Sequence, residues 1–177
     1  MKKLVLLTLT LSFAICSYAQ NTIKFLGIPV DGTKKEMISK LQAKGYEYNS
    51  YSDMLSGEFN GQQVNIAIQT VNNRVWRIAV MDKSTTNETN IKIRFNNLFD
   101  QFSNNAKYIC IQGNKLNDSD DISYEMAVHK KRYDAYFGFT DTSINGIVWY
   151  TIGEQYGDYA IVIFYENNDN AAKGDDL

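Results

Sequence analysis

Proline is all but missing from this chain of 177 residues, which has only Pro29. Histidine also occurs once, as His129, and cysteine twice, as Cys16 and Cys110. Each shortage closes off a class of protein. With 12 Tyr, 9 Phe and 2 Trp beside a single proline, the chain carries enough large apolar side chains to bury and is not a disordered or polyproline linker. One histidine argues against histidine-rich zinc sites, and two cysteines cannot build a disulfide-stapled scaffold. No apolar stretch reaches the roughly 20 residues that a membrane-spanning helix needs. Basic side chains, 18 against 20 acidic, give no positive excess for neutralising phosphates, so nucleic acid is not an expected partner.

What is present starts with the N-terminus. Lys2 and Lys3 precede an apolar run from Leu4 to Ile15, and Ser17-Tyr18-Ala19 sets small residues three and one before a cut ahead of Gln20. Residues 1–19 therefore read as a secretory signal peptide, which predicts export to the periplasm or beyond the cell. Its removal takes away two basic and no acidic side chains and leaves 158 residues with a formal net charge of −4. A lipid anchor on Cys16 is the weaker alternative, because Ile15 and Phe13 stand where lipoprotein signals carry a small residue and a leucine. Cleavage after Ala19 leaves Cys110 alone, and its apolar setting Tyr108-Ile109-Cys110-Ile111 predicts a buried, inert thiol.

Along the mature chain, helix signals and strand signals alternate in blocks. Thr33-Lys34-Lys35-Glu36 is a capping box, Met37, Ile38 and Leu41 supply one apolar face, and Gly45 closes a short helix near residues 33–44. A second capping signal, Thr85-Thr86-Asn87-Glu88, precedes Ile91, Phe95, Leu98, Phe99 and Phe102, whose spacing predicts an amphipathic helix near 86–104. Between them, Asn60-Gly61 is a type I′ turn signal that pairs Phe59 with Gln62 and Leu55 with Ile66. The next hairpin admits a two-residue loop, Asn72-Asn73, or a three-residue loop, Val71-Asn72-Asn73. The latter is expected, with Asn73 left-handed, because it sets Ile66 and Ile68 opposite Ile78 and Trp76.

After the second helix, a Lys130-Lys131 turn would pair a strand at 122–128 with one at 133–139, placing Ser123, Glu125, Ala127, Asp134, Tyr136 and Gly138 on the outward face. A last hairpin around Tyr156-Gly157 joins Ile147–Ile152 to Tyr159–Tyr165. Tyr150, Ile152, Ile161 and Ile163 make its core face, and Trp149, Val162 and Phe164 lie on the other. The polar residues 167–177 read as a disordered tail. The sum is a single α+β domain, residues 20–166, of two helix-then-antiparallel-meander units (about 20–83 and 84–166), with the helices on one sheet face.

This element order resembles the tandem helix-plus-sheet units of beta-lactamase inhibitory proteins and the small BamE-like outer-membrane assembly lipoproteins. Phe25-Leu26-Gly27-Ile28-Pro29 before the first helix is similar to the Leu-Gly-x-Pro stretch of such domains. The segment from Gly27 to Gly45 also looks like uncharacterised exported proteins of Gram-negative bacteria. These resemblances imply an exported protein that binds a partner or serves envelope assembly, although the mature chain lacks paired cysteines and a convincing lipobox.

Tests for chemistry mostly return polar surface. His129 in His129-Lys130-Lys131-Arg132 reads as a solvated hairpin tip rather than a general base or a docking patch. Asn117, Asp118, Ser119, Asp120 and Asp121 lack the central glycine and distant glutamate of an EF-hand loop. Glu125 and Asp134, outward on one face, are the minimum for a hydrolase of the paired-carboxylate kind and form the enzymatic alternative. No catalytic residue, metal site or cofactor is assigned. The preferred expectation is a non-enzymatic binding protein that uses Trp149, Phe164 and Tyr136 on a sheet face to hold a protein, with a carbohydrate as the other candidate partner. The competing arrangement has the second helix covering that face, with the aromatics as core.

Overall fold

A computed structural model describes residues 22–171, so the leader read at residues 1–19 lies outside the described residues. The first described elements are a two-stranded hairpin, β1 (Lys24–Phe25) and β2 (Ile28–Pro29), and helix α1 (Lys34–Gln42). Thr33 and Glu36 close the capping box in both directions. The Thr33 hydroxyl accepts the Glu36 N–H at 3.3 Å and the Glu36 carboxylate accepts the Thr33 N–H at 2.9 Å. Helix α2 (Glu88–Ser103) starts two residues later than Thr85 would set it: Asn87 is its N-cap and accepts from the Asn90 N–H at 3.0 Å. Thr86 is instead drawn into a bridge with Tyr159.

The first unit adds β3 (Glu47–Asn49), β4 (Met54–Phe59), β5 (Gln62–Val71) and β6 (Arg74–Asp82). The second adds β7 (Tyr108–Gln112), β8 (Asp134–Phe139), β9 (Gly146–Gln155) and β10 (Asp158–Asn167). All eight join one antiparallel sheet in the order β3-β4-β5-β6-β10-β9-β8-β7. The expected α+β architecture of two helix-then-meander units is thus present. The order is symmetric about a seam where the last strand of each unit pairs with the other, Val80 opposite Ile163 and Ala79 opposite Phe164.

Both helices lie on the same side of this sheet. Met37 and Leu41 of α1 and Ile91, Phe95, Leu98 and Phe102 of α2 are buried against alternate strand residues such as Leu55, Ile66, Ile78, Val148, Tyr150 and Ile163. Phe102 stacks on Phe137 and Tyr150, and the Tyr150 hydroxyl donates to the Phe95 carbonyl of α2 at 3.1 Å. Among the described residues no helix is long and apolar enough to cross a membrane.

Three sequence expectations are corrected here. The β5–β6 connection is the two-residue turn, with both Asn72 (φ 49°) and Asn73 (φ 62°) left-handed. The apolar register is recovered by a bulge instead of a longer loop: Thr70 pairs with Val75 and Gln69 with Arg77, so Trp76 is the extra residue. Ile66 and Ile68 then face Val80 and Ile78, not Ile78 and Trp76. The second correction concerns Ile122–His129, which is helix α3 and not a strand. The apolar residues at 122, 124, 126 and 128 mimic strand alternation, but the backbone is captured at its N-terminus. Asp121 accepts the Tyr124 N–H at 2.9 Å, and Glu88 from α2 accepts the N–H groups of Ile122 and Ser123 at 3.0 and 3.3 Å. Lys130 (φ 54°) ends it as a left-handed cap, and β8 pairs with β7 and β9 instead. Third, the start of the expected disordered tail is pinned: Asn167 is buried and donates to the Val30 carbonyl, and Asn170 donates to Asp31 and the Val75 carbonyl.

One ion pair ties the units together on the helix side. Arg94 of α2 donates twice to Asp82 at the end of β6, at 2.5 and 2.7 Å, with only 15% and 7% of the two side chains exposed. Removing one partner strands the other charge in a poorly solvated place. Asp82→Ala should therefore lower unfolding stability in urea by about 3 kcal/mol, whereas Arg94→Met with Asp82→Leu together should lose clearly less than Asp82→Ala alone.

Candidate binding face of the sheet

The sheet side opposite the helices carries the alternate residues of every strand, and at the seam these become aromatic. Trp149 of β9 is the cross-strand partner of Phe164 on one side and of Tyr136 on the other. The rings stack: Trp149 to Phe164 at 4.1 Å and 18°, Trp149 to Tyr136 at 5.3 Å and 16°. On the far side of Phe164 lies Arg77 of β6, whose guanidinium carbon is 5.2 Å from the Phe164 ring and 4.0 Å from that of Trp76. The result is a ladder across four strands, Trp76, Arg77, Phe164, Trp149 and Tyr136. The bulge at Trp76 places two consecutive side chains beside each other at one end of it.

Glu166 holds the ladder in place. Its Oε1 accepts from Trp149 Nε1 at 2.6 Å and pairs with Arg77 at 2.7 Å, with 12% of the glutamate and 24% of the arginine side chain exposed. At the other end, Asp134 accepts the Tyr136 hydroxyl at 3.4 Å and pairs with Arg132 at 3.2 Å. Burial, and then the Asp134 carboxylate beside it, push the Tyr136 hydroxyl above the ordinary range of a phenol. Arg77 Nε and Asp134 Oδ1 are buried and have no hydrogen-bond partner among the described residues, so the two ends of the ladder are its least satisfied points.

Trp149, Phe164 and Tyr136 are each half-buried, and α2 lies on the opposite face over Tyr150 and Phe137, so it does not cover them. The surface continues to the edge strand. Ile109 of β7 pairs with Gly138, and the Ile111 side chain lies over the same glycine; the two isoleucines are 53% and 63% exposed. Gly138 leaves the space that Ile111 fills, since a Cβ there would stand 3.0 Å from the Ile111 Cδ1.

The sequence reading pairs Trp149 with Phe164 and sets Tyr136 nearby, as the register does, but misses the neighbouring Arg77, Trp76, Ile109 and Ile111. Arg77 had a legible signal, a lone cation in the apolar strand Val75–Met81. The isoleucines were hidden because β7 reads as a buried strand when it is an edge. For the same reason Cys110 is exposed, against the expectation of a buried thiol, with its sulfur 3.9 Å from the Gly113 carbonyl.

Other candidates separate. Glu125 is on α3 and Asp134 on β8, so the shared strand face that motivated the paired-carboxylate alternative does not exist. His129 sits in the last turn of α3, with its ring against Tyr124, and not at a hairpin tip. In the acidic loop, Asp120 and Asp121 accept backbone N–H groups, and no cluster of three metal-ligating side chains occurs among the described residues. No protein-family model, curated protein or solved structure matches the chain.

The ladder's dependence on Glu166 is measurable. Glu166→Ala leaves the indole N–H without its acceptor and Arg77 without its carboxylate, with only the Gln69 Oε1 at 3.3 Å still accepting from it, and should cost about 1–3 kcal/mol in denaturant unfolding. Glu166→Gln keeps an acceptor for Trp149 and should cost less.

Proposed function

We propose that this chain is an exported, non-enzymatic binding module that holds a protein partner against the open face of its sheet. The observation that carries the reading is a continuous apolar and aromatic strip, Ile109 and Ile111 through Tyr136, Trp149 and Phe164, on the side of the sheet that α1 and α2 leave bare. Exposed apolar surface that its own helices do not cover is the usual mark of an interaction site. Tryptophan, tyrosine and arginine, which make up most of the ladder, are the side chains that most often carry binding energy between proteins.

The stacking geometry favours a protein over a sugar. A sugar ring packs on a free aromatic face, and Trp149 has Phe164 on one face and Tyr136 on the other. What the ladder offers outward is ring edges and aliphatic side chains, a surface suited to apolar side chains of a partner. Arg77 and Glu166 neutralise each other, so recognition by this face is governed by shape and apolar area more than by net charge.

The test uses partners recovered with the tagged mature protein from envelope and culture-supernatant fractions. Ile111→Lys places a charge in the strip at an exposed position and should change stability by no more than about 0.5 kcal/mol. Capture should nevertheless fall at least tenfold, as it should for Trp149→Ala and Phe164→Ala in folded protein. Undiminished capture by folded Ile111→Lys and Trp149→Ala would remove this face from the function.

A further inference from the structure

On the opposite side of the sheet, a cavity of about 390 Å³ opens between α2 and the turn of the β1–β2 hairpin. Its apolar lining includes Leu26, Phe59, Phe102 and Ile163, and its polar lining includes Tyr165 and Tyr108. We propose that this cavity binds a small uncharged aromatic molecule bearing one neutral hydrogen-bonding group, a site separate from the sheet face described above.

Size and lining set the class. The volume is at the lower end of the range for small-molecule pockets and suits a fused two-ring compound. No lysine, arginine or histidine lines the cavity, and its one ionisable carboxylate is the exposed Glu58. A carboxylate or phosphate entering would lose its hydration with no cation in the lining to replace it; Lys107, 5.4 Å from the Tyr108 ring, stands over the Tyr108 and Phe139 rings and does not line the cavity. The polar group is to be met by tyrosine. Tyr46, also in the lining, already donates its hydroxyl to the Glu58 carbonyl at 2.8 Å. Tyr165, only 6% exposed, makes no side-chain hydrogen bond among the described residues, and burial raises its hydroxyl far above the usual phenol range, so it stays neutral and able to donate. Burial raises the Tyr108 hydroxyl likewise. Tyr165 lines the cavity, and a ligand acceptor there would give its hydroxyl a hydrogen-bond partner inside the site.

The experiment titrates the full mature chain with 2-naphthol and, separately, with its anionic relative 2-naphthoate, following the Gln101 and Asn105 amide resonances at the cavity mouth. Saturable shifts with 2-naphthol, and binding of 2-naphthoate at least tenfold weaker, are expected. Tyr165→Phe keeps the ring and should weaken 2-naphthol about fivefold, the equivalent of one hydrogen bond. Gln101→Trp, at an exposed helical position on the cavity wall, should abolish binding without disturbing the fold and covers the case in which Tyr165→Phe does not fold. No saturation by 2-naphthol, equal binding of the two probes, or binding unchanged in Gln101→Trp would overturn the proposal.

Discussion

The pairing of β6 with β10 is the constraint on which the rest of this structure depends. Each unit alone is four antiparallel strands under a helix, with α3 added between β7 and β8 in the second, and its last strand would end in an open edge. Joining those two edges, with Val80 opposite Ile163, makes one sheet of eight strands and puts both helices on the same side. The pleat then decides everything about the two faces. Residues that share a side with Val80 and Ile163 are buried under α1 and α2, and those that share a side with Phe164 lie on the face those helices leave bare, where small Ala79 is still buried among its larger neighbours.

That second side is not an ordinary polar sheet surface. Its aromatic side chains are stacked face to face and locked by a glutamate that serves an indole N–H and a guanidinium together. Locking lowers the rotamer freedom that an interface would otherwise have to remove on binding. An apolar surface held rigid in the free protein is what preorganised recognition requires, and it gives a role to Arg77 inside the apolar run Val75–Met81 and to Glu166 just after the apolar run Tyr159–Tyr165. The helix side uses charge differently: Arg94 and Asp82 connect α2 to the first unit and are largely covered.

Much of the fold was legible because its determinants are local. The capping box at Thr33, the spacing of Ile91, Phe95, Leu98 and Phe102, and the turns at Asn60-Gly61 and Tyr156-Gly157 specify two helices and two hairpins from short-range chemistry. The pairing of Trp149 with Phe164 followed from the last turn alone. What escaped was decided by contacts distant in sequence. Residues 122–129 alternate like a strand, and the N–H groups of Ile122 and Ser123 are met by Glu88, more than thirty positions earlier. The β5–β6 hairpin keeps its apolar faces in phase through a bulge at Trp76, which period-two reasoning does not anticipate because it treats loop length as the only free variable. Cys110 and its isoleucine neighbours looked like core because a strand's neighbours, not its composition, determine whether it is an edge. The candidate face was therefore half legible: its aromatic centre could be read, its charged support left a signal only in the lone Arg77 of Val75–Met81, and its isoleucine margin left none.

The most direct measurement is solvent paramagnetic relaxation on the isolated chain from residue 20 to residue 177, using an uncharged gadolinium chelate and reading side-chain protons. With the open face bare, the Trp149 indole ring, the Phe164 ring edge and the Ile111 methyls should relax strongly, while Phe137 and Tyr150 beneath α2 stay protected. Protection of Trp149 and Phe164 equal to that of Tyr150 would mean that the face is already covered in the free protein, and would contradict the account of an open binding surface.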